Sequence, residues 1–141
     1  MGESAPVVVG FLVPLCDDAT RVPHGAALWA ALETAIVDRF NGFTRLADTS
    51  GAWRDGAGNI VREPSRAYET DVPEARVDDA RALLRAACAA FGQQTLRVTV
   101  LGRAEYLAPC AAGVAAHGLA LYRARAVSIA KGTAMRSLLH P

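Results

Sequence analysis

The chain has 141 residues, 52% of them hydrophobic and 21% charged, with a formal net charge of +1. That length allows one domain with its own core and excludes two ordinary ones, and the composition excludes a disordered chain. Residues 1–100 carry 10 basic and 13 acidic side chains and residues 101–141 carry 5 and 1, so neither the acidic body nor the weakly basic tail reads as a nucleic-acid binder.

The start, Met1-Gly2-Glu3-Ser4-Ala5-Pro6, puts an acid where an export signal wants Lys or Arg, and Gly10 and Pro14 interrupt the apolar run that follows. Pro6 stands where a myristoylation motif wants Ser or Thr. A cytoplasmic protein is expected. Residues 7–15 are apolar and β-branched, which predicts a central strand. Pro23 opens a helical segment to about Phe40, with Leu28, Leu32, Ile36 and Phe40 recurring every four residues and Asn41-Gly42 ending it. Strands are expected at about 43–54 and 60–71. They are joined at Asp55-Gly56-Ala57-Gly58-Asn59, where glycine supplies the backbone freedom of a reversal. Ala80, Leu83, Leu84, Ala87, Cys88 and Phe91 mark one face of a second helix that stops at Gly92. Residues 95–101 alternate in polarity and predict a half-exposed strand.

The order β-α-β-β-α-β predicts a ferredoxin-like α+β domain over residues 1–105, a two-layer sandwich. Its four-stranded antiparallel sheet has both helices on one face and the first and third strands in the middle. Pro64 cannot donate to a ladder, so a bulge or irregular pairing is expected there. Residues 106–141 form an Ala- and Arg-rich C-terminal tail, partly helical through Leu119, Tyr122, Ile129 and Met135, for packing or oligomerisation. The apolar stretch 106–122 is too short and too rich in Ala and Gly to span a membrane.

The first strand is apolar on both sides, with Val7, Val9, Phe11 and Val13 on one and Val8 and Leu12 on the other. Helices on one face cover only half of these. Leaving the others in water costs about 25 cal/mol per Å² of apolar area. A second copy of the chain, the tail, or a small-molecule ligand is expected over the second face, and a homodimer is the first expectation.

The segment Gly51-Ala52-Trp53-Arg54 with Gly58-Asn59-Ile60-Val61-Arg62-Glu63-Pro64-Ser65-Arg66 resembles a family of small bacterial proteins of unknown function, many of them described as exported or as lipoproteins. Phe91-Gly92-Gln93-Gln94-Thr95-Leu96-Arg97-Val98 resembles that family's closing helix and strand. The likeness covers about residues 7–101. It implies a ferredoxin-like fold and no established activity. This chain departs from the family in its start and in its basic tail.

Trp53, Arg62, Glu63, Arg66 and Tyr68, with Ser65 among them, gather within one hairpin and are the candidate ligand-binding residues. A Trp with Arg beside it suits an anionic or planar ligand, and Glu63 could serve as acceptor or base. The competing reading makes Trp53 an edge of the core and the charges solvent-exposed or cross-strand pairs. Two function classes therefore stand together: a homodimeric binding or structural module without catalysis, and an enzyme of the dimeric α+β-barrel kind acting on a small molecule near Trp53 and Glu63.

Cys16, Asp17, Asp18 and His24 occupy the link between first strand and first helix, where a helix N-terminus can favour a thiolate. The two aspartates oppose one, so an inert thiol and loop-capping carboxylates are expected. Cys16, Cys88 and Cys110 are odd in number and far apart, which fits reduced thiols. His117 and His140 lack a third ligand at helical spacing, and Gly56-x-Gly58 lacks the lysine and following helix of a phosphate loop. No metal or cofactor is expected.

Overall fold

The computed structural model describes residues 5–110. The helix expected in the tail (Leu119, Tyr122, Ile129, Met135) and the pair His117 and His140 lie outside the described residues. The first strand, β1 (Val7–Pro14), runs through the middle of one antiparallel sheet. On one side it pairs with β4 (Ile60–Val72) and on the other with β5 (Leu96–Val100). Two short strands, β2 (Thr44–Arg45) and β3 (Thr49–Arg54), flank the far side of β4. A further strand, β6 (Arg103–Leu107), closes the opposite edge against β5.

Among the described residues the sheet therefore has six strands in place of the expected four. One addition arises because 43–54 is divided. Arg45 faces Tyr68 and Thr49 faces Ser65, so residues 46–48 stand opposite only Arg66 and Ala67. That extra residue breaks the ladder into two strands. The other addition, β6, folds back through Leu101 and Gly102 with φ of 52° and 74°, a two-residue turn with both centres left-handed. The sheet thus continues to Leu107, past the boundary expected at residue 105.

The irregular pairing expected at Pro64 is not where the irregularity lies. Pro64 sits in unbroken register opposite Ser50. Its carbonyl accepts from the Leu15 N–H (3.1 Å), so its ring nitrogen points to the same side, just past the end of β1. A donor at Pro64 would meet the Leu15 carbonyl, and the His24 N–H takes that acceptor instead (3.0 Å). The proline costs no ladder bond because the loop fills the position.

Helix α1 (Ala26–Phe40) and helix α2 (Val77–Ala90) bury their apolar stripes on the same sheet face. Leu28, Leu32 and Ile36 from α1 and Leu83, Leu84 and Ala87 from α2 meet Val9, Phe11 and Val13 of β1. Each fully buried aliphatic side chain contributes about 1.5–3 kcal/mol. Asn41 ends α1 in the left-handed region (φ 68°), its N–H donating to the Val37 carbonyl (2.9 Å).

The two layers are also tied at the β6 edge. Arg81 of α2 clasps both oxygens of Glu105 through Nε and Nη2, each at 2.9 Å. The hydrogen bonds from Arg81 hold the Glu105 carboxyl below its ordinary value of 4.5. The unfolded chain binds this proton more readily. The pair's stabilisation is therefore complete above about pH 4.5 and is lost as pH falls through the depressed value. Thermal melts between pH 2 and 7 should show a steeper acid loss for the wild type than for Glu105→Gln. Parallel curves would contradict this.

Candidate functional site

Directly opposite residues of an antiparallel pair point to the same face, so the register assigns every side chain to a face. The odd positions of β1 look toward the helices. Val8, Gly10, Leu12 and Pro14 look to the other, open face. Opposite them stand Ser65 and Ala67 of β4 and Arg97 and Thr99 of β5. Next to these come Glu63 of β4, then Thr49, Gly51 and Trp53 of β3, and Tyr106 of β6.

The expected second apolar face is smaller than the sequence suggests. Val8 is 51% exposed, Gly10 breaks the row, and Leu12 is half-buried. No described element covers Val8, Trp53 or Tyr106, which stand 51%, 50% and 67% exposed.

Where β1 ends, the β3–β4 ribbon continues. β1 pairs with β4 between Ser65 and Val72, so residues 60–63 have β3 alone as a strand partner among the described residues. The turn is held by Asp55, whose side chain accepts the N–H groups of Ala57 (3.0 Å) and Asn59 (2.9 Å), with Gly58 at φ 85°. The projecting ribbon forms one wall of a cleft of about 780 Å³. Leu12 and Pro14 line the cleft beside Ser65. Thr49 to Trp53 and Glu63 supply one wall, and Asp18, Gln93, Gln94, Thr95 and Arg97 the other, with Tyr106 beside them.

The far wall is rigid because two loops are laced together. The Gln93 amide donates to the carbonyls of Cys16 and Phe91, both at 2.8 Å. Asp18 donates its N–H to the Gly92 carbonyl (3.1 Å), and its carboxylate accepts the Gln94 N–H (2.9 Å). Buried Asp17 accepts the N–H groups of Ala19 and Thr20, both at 2.9 Å, which is the loop-capping role expected of this pair. Asp18 does more, for its charge faces the cleft.

Glu63 is the perturbed acid of the site. Burial, and then the Asp18 carboxylate, push its pKa above the ordinary 4.5, while a hydrogen bond with the Trp53 side chain and the charge of Arg21 pull it down. An aromatic ring, an acid with a raised pKa and a second carboxylate therefore converge on one concave surface. Such a surface suits a ligand with a flat group and a positive centre.

The five candidate residues divide between faces. Trp53 and Glu63 meet in the cleft. Arg62 stands opposite Ala52 on the other side of the ribbon. Arg66 and Tyr68 face the helices. The Arg66 guanidinium lies 4.1 Å over the Trp29 ring, and the Tyr68 hydroxyl donates to Glu33 of α1 (2.9 Å). Burial first and that Glu33 bond second push the Tyr68 pKa up to about 12. Asp18, Gln94, Arg97 and Tyr106 belong to the cleft, although the sequence singles out only Asp18, and that for capping. The alternation of 95–101 carries a signal for Arg97, because it places Arg97 and Thr99 on the face opposite Val98.

The cysteines Cys16, Cys88 and Cys110 are all free. Cys88 is buried with its pKa pushed up to about 12 by desolvation, which makes it an inert thiol at neutral pH. His24 packs edge-on against Phe91 (4.7 Å) and Trp29 (5.7 Å), on the helix side. Among the described residues no group of three or more His, Cys, Asp or Glu could hold a metal ion. None of the described helices is long and apolar enough to cross a membrane.

No protein-family model and no curated protein matches the chain. Two solved structures share its fold. One is a phage SAM lyase in complex with S-methyl-5'-thioadenosine, with a TM-score of 0.55 and 14% identity over 82% of this chain and 96% of that one. The other is a phage SAM lyase in the apo state, with a TM-score of 0.51 and 13% identity over the same shares. At these identities the likeness is one of fold, and it spans nearly all of the phage lyase's length.

Proposed function

We propose that the chain binds a small molecule carrying a flat ring and a cationic centre in the Trp53–Glu63 cleft, and that the ligand is an S-adenosyl sulfonium compound which it cleaves. The observation that carries this reading is the meeting of Trp53, Glu63 and Asp18 on the open face, with the Glu63 pKa raised by burial and by the Asp18 carboxylate. The fold shared with a lyase of this substrate class supports it. We read the sheet as a ferredoxin-like βαββαβ core enlarged by β6 and by the division of its second strand.

In this reading the Trp53 ring stacks on the adenine, and Glu63 and Asp18 face the sulfonium. Arg97 across the cleft takes the ligand's carboxylate. Ionised Glu63 accepts a proton from the carbon next to the one bound to sulfur. The C–H electron pair forms a carbon–carbon double bond that leaves the amino-acid part as an alkene, and the carbon–sulfur bond breaks. Its electron pair stays on sulfur, and the neutral thioether S-methyl-5'-thioadenosine leaves. The full chain incubated with S-adenosylmethionine should release S-methyl-5'-thioadenosine, measured by mass spectrometry, and Glu63→Gln should not. If wild type and variant release equal amounts, or neither binds the nucleoside, the reading fails.

A second reading keeps the ligand and drops the chemistry: a homodimeric binding module without catalysis. The exposure of Val8 and Tyr106 on the cleft side favours it, because both would gain from a cover. Binding of S-methyl-5'-thioadenosine without turnover of S-adenosylmethionine would select it.

A further inference from the structure

The two edges of the sheet differ. β6 carries Arg103 and Glu105, and Glu105 is held by Arg81, so that edge is charged and tied down. β3 is Thr-Ser-Gly-Ala-Trp-Arg, exposed at every position, with no proline and no charge before Arg54. An uncharged, exposed edge of this length is a template for another strand.

The direction of its free backbone groups follows from the hydrogen bonds already made. The Pro64 carbonyl points toward Leu15, away from β3, so its partner Ser50 also turns its N–H and C=O away from β4. The Asp55 N–H donates to the Asn59 carbonyl (2.9 Å), so the position before it, Arg54, points outward. Ser50, Ala52 and Arg54 therefore present backbone groups along the edge that no strand among the described residues pairs, while Thr49, Gly51 and Trp53 bond inward.

We infer that β3 pairs antiparallel with β3 of a second copy about a two-fold axis at Gly51, joining the two sheets into one. In this register Ser50 and Ala52 of one copy exchange backbone hydrogen bonds with Ala52 and Ser50 of the other. Asp48 stands opposite Arg54 of the partner, at both ends of the interface. A shift of two residues would leave Arg54 opposite Ser50 and lose that complementarity. Asp48 lies 3.5 Å from Arg45 and 4.0 Å from Arg66 of its own chain, and a half-exposed carboxylate keeps acceptor sites for a third partner. Arg54, whose Nη1 donates to the Gly58 carbonyl of its own chain (2.8 Å), keeps other N–H groups to meet it.

Gly51 supplies an independent observation. It is absent from the glycines with positive φ, and a Cβ built on it would meet nothing within 4 Å. Among the described residues nothing requires a glycine there. At the axis of a non-hydrogen-bonded antiparallel pair the Cα atoms approach to about 4.5 Å, and the missing side chain leaves the axis clear. Thr49 of the partner subunit then stands opposite Trp53 on the cleft side, so each cleft is walled in part by the other copy. The pairing stands without any assumption about the ligand.

Sedimentation velocity or light scattering of the full chain without ligand tests it. The expected mass is twice 14.8 kDa. Ala52→Pro deletes only an outward N–H and should yield a folded species of half that mass. Arg54→Asp opposes two carboxylates and should also yield the monomer, and adding Asp48→Arg to it should restore the dimer. Should Ala52→Pro fail to fold, the charge pair alone decides. A monomeric wild type, an assembly of any other size, a dimer untouched by a folded Ala52→Pro, or a charge exchange that does not restore association would overturn the inference.

Discussion

Phe91→Ala is expected to lower the free energy of unfolding by about 3–5 kcal/mol, a large share of the stability of a domain this size. Phe91 is fully buried, with ring centroids 4.7 Å from His24 and 4.9 Å from Trp29. Those aromatic contacts are lost together with the transferred apolar area. The consequence reaches the cleft, because Phe91 ends α2 directly before the wall formed by Gln93 and Gln94, and its carbonyl holds the Gln93 amide. Urea unfolding should show the drop, and amide exchange at Gln94 should quicken with it. A loss under about 1 kcal/mol would mean that the α2 terminus does not brace the wall.

Glu63→Gln is expected to weaken the binding of a cationic nucleoside by about tenfold to a hundredfold, since hydrogen bonds to a charged group contribute about 1.5–3 kcal/mol. Trp53→Ala should cost a similar amount through lost stacking. The pH dependence carries the signature. A cation prefers the ionised carboxylate, so wild-type affinity should rise as pH climbs through the raised pKa of Glu63, and Glu63→Gln should flatten that rise. Stability runs the other way. A carboxyl whose folded pKa lies above its unfolded value favours the fold below the unfolded value, and that contribution is lost as pH rises through the folded one. Glu63→Gln should therefore melt at a higher temperature than wild type at neutral pH while binding less. An acid that costs stability and improves binding belongs to a site.

The helices were legible because their apolar positions recur at the helical period, as in Leu28, Leu32, Ile36 and Phe40, and the structure buries all four. The middle position of β1 was legible in its apolar, β-branched run, which carries Val and Phe on one face and Val and Leu on the other. β6 was not, for its turn uses Leu101 at φ 52° where such turns favour Asn or Asp. The division of the second strand was hidden too, because a one-residue slip at 46–48 leaves no mark in composition. It matters for the site, since β3 carries Trp53 on the open face only in the shifted register.

The same alternation explains the mixed fate of the candidate residues. Proximity in sequence placed Trp53, Glu63, Arg66 and Tyr68 in one hairpin, but strand geometry sends odd and even positions of β4 to opposite faces. Arg66 and Tyr68 fasten α1 through Trp29 and Glu33, while Glu63 looks into the cleft. The partners that complete the cleft, Asp18, Arg97 and Tyr106, come from distant segments that only the order of the strands brings together.

The most direct measurement is a nuclear magnetic resonance titration of the full chain with S-methyl-5'-thioadenosine, following the indole N–H signals. The protein has two, one in the cleft at Trp53 and one under the helices at Trp29. The Trp53 signal should move saturably, together with the amides of 49–52 and 93–97, while Trp29 stays in place. Movement confined to Trp29 and its neighbours on α1, or no saturable movement at any concentration reached, would contradict a ligand site on the open face.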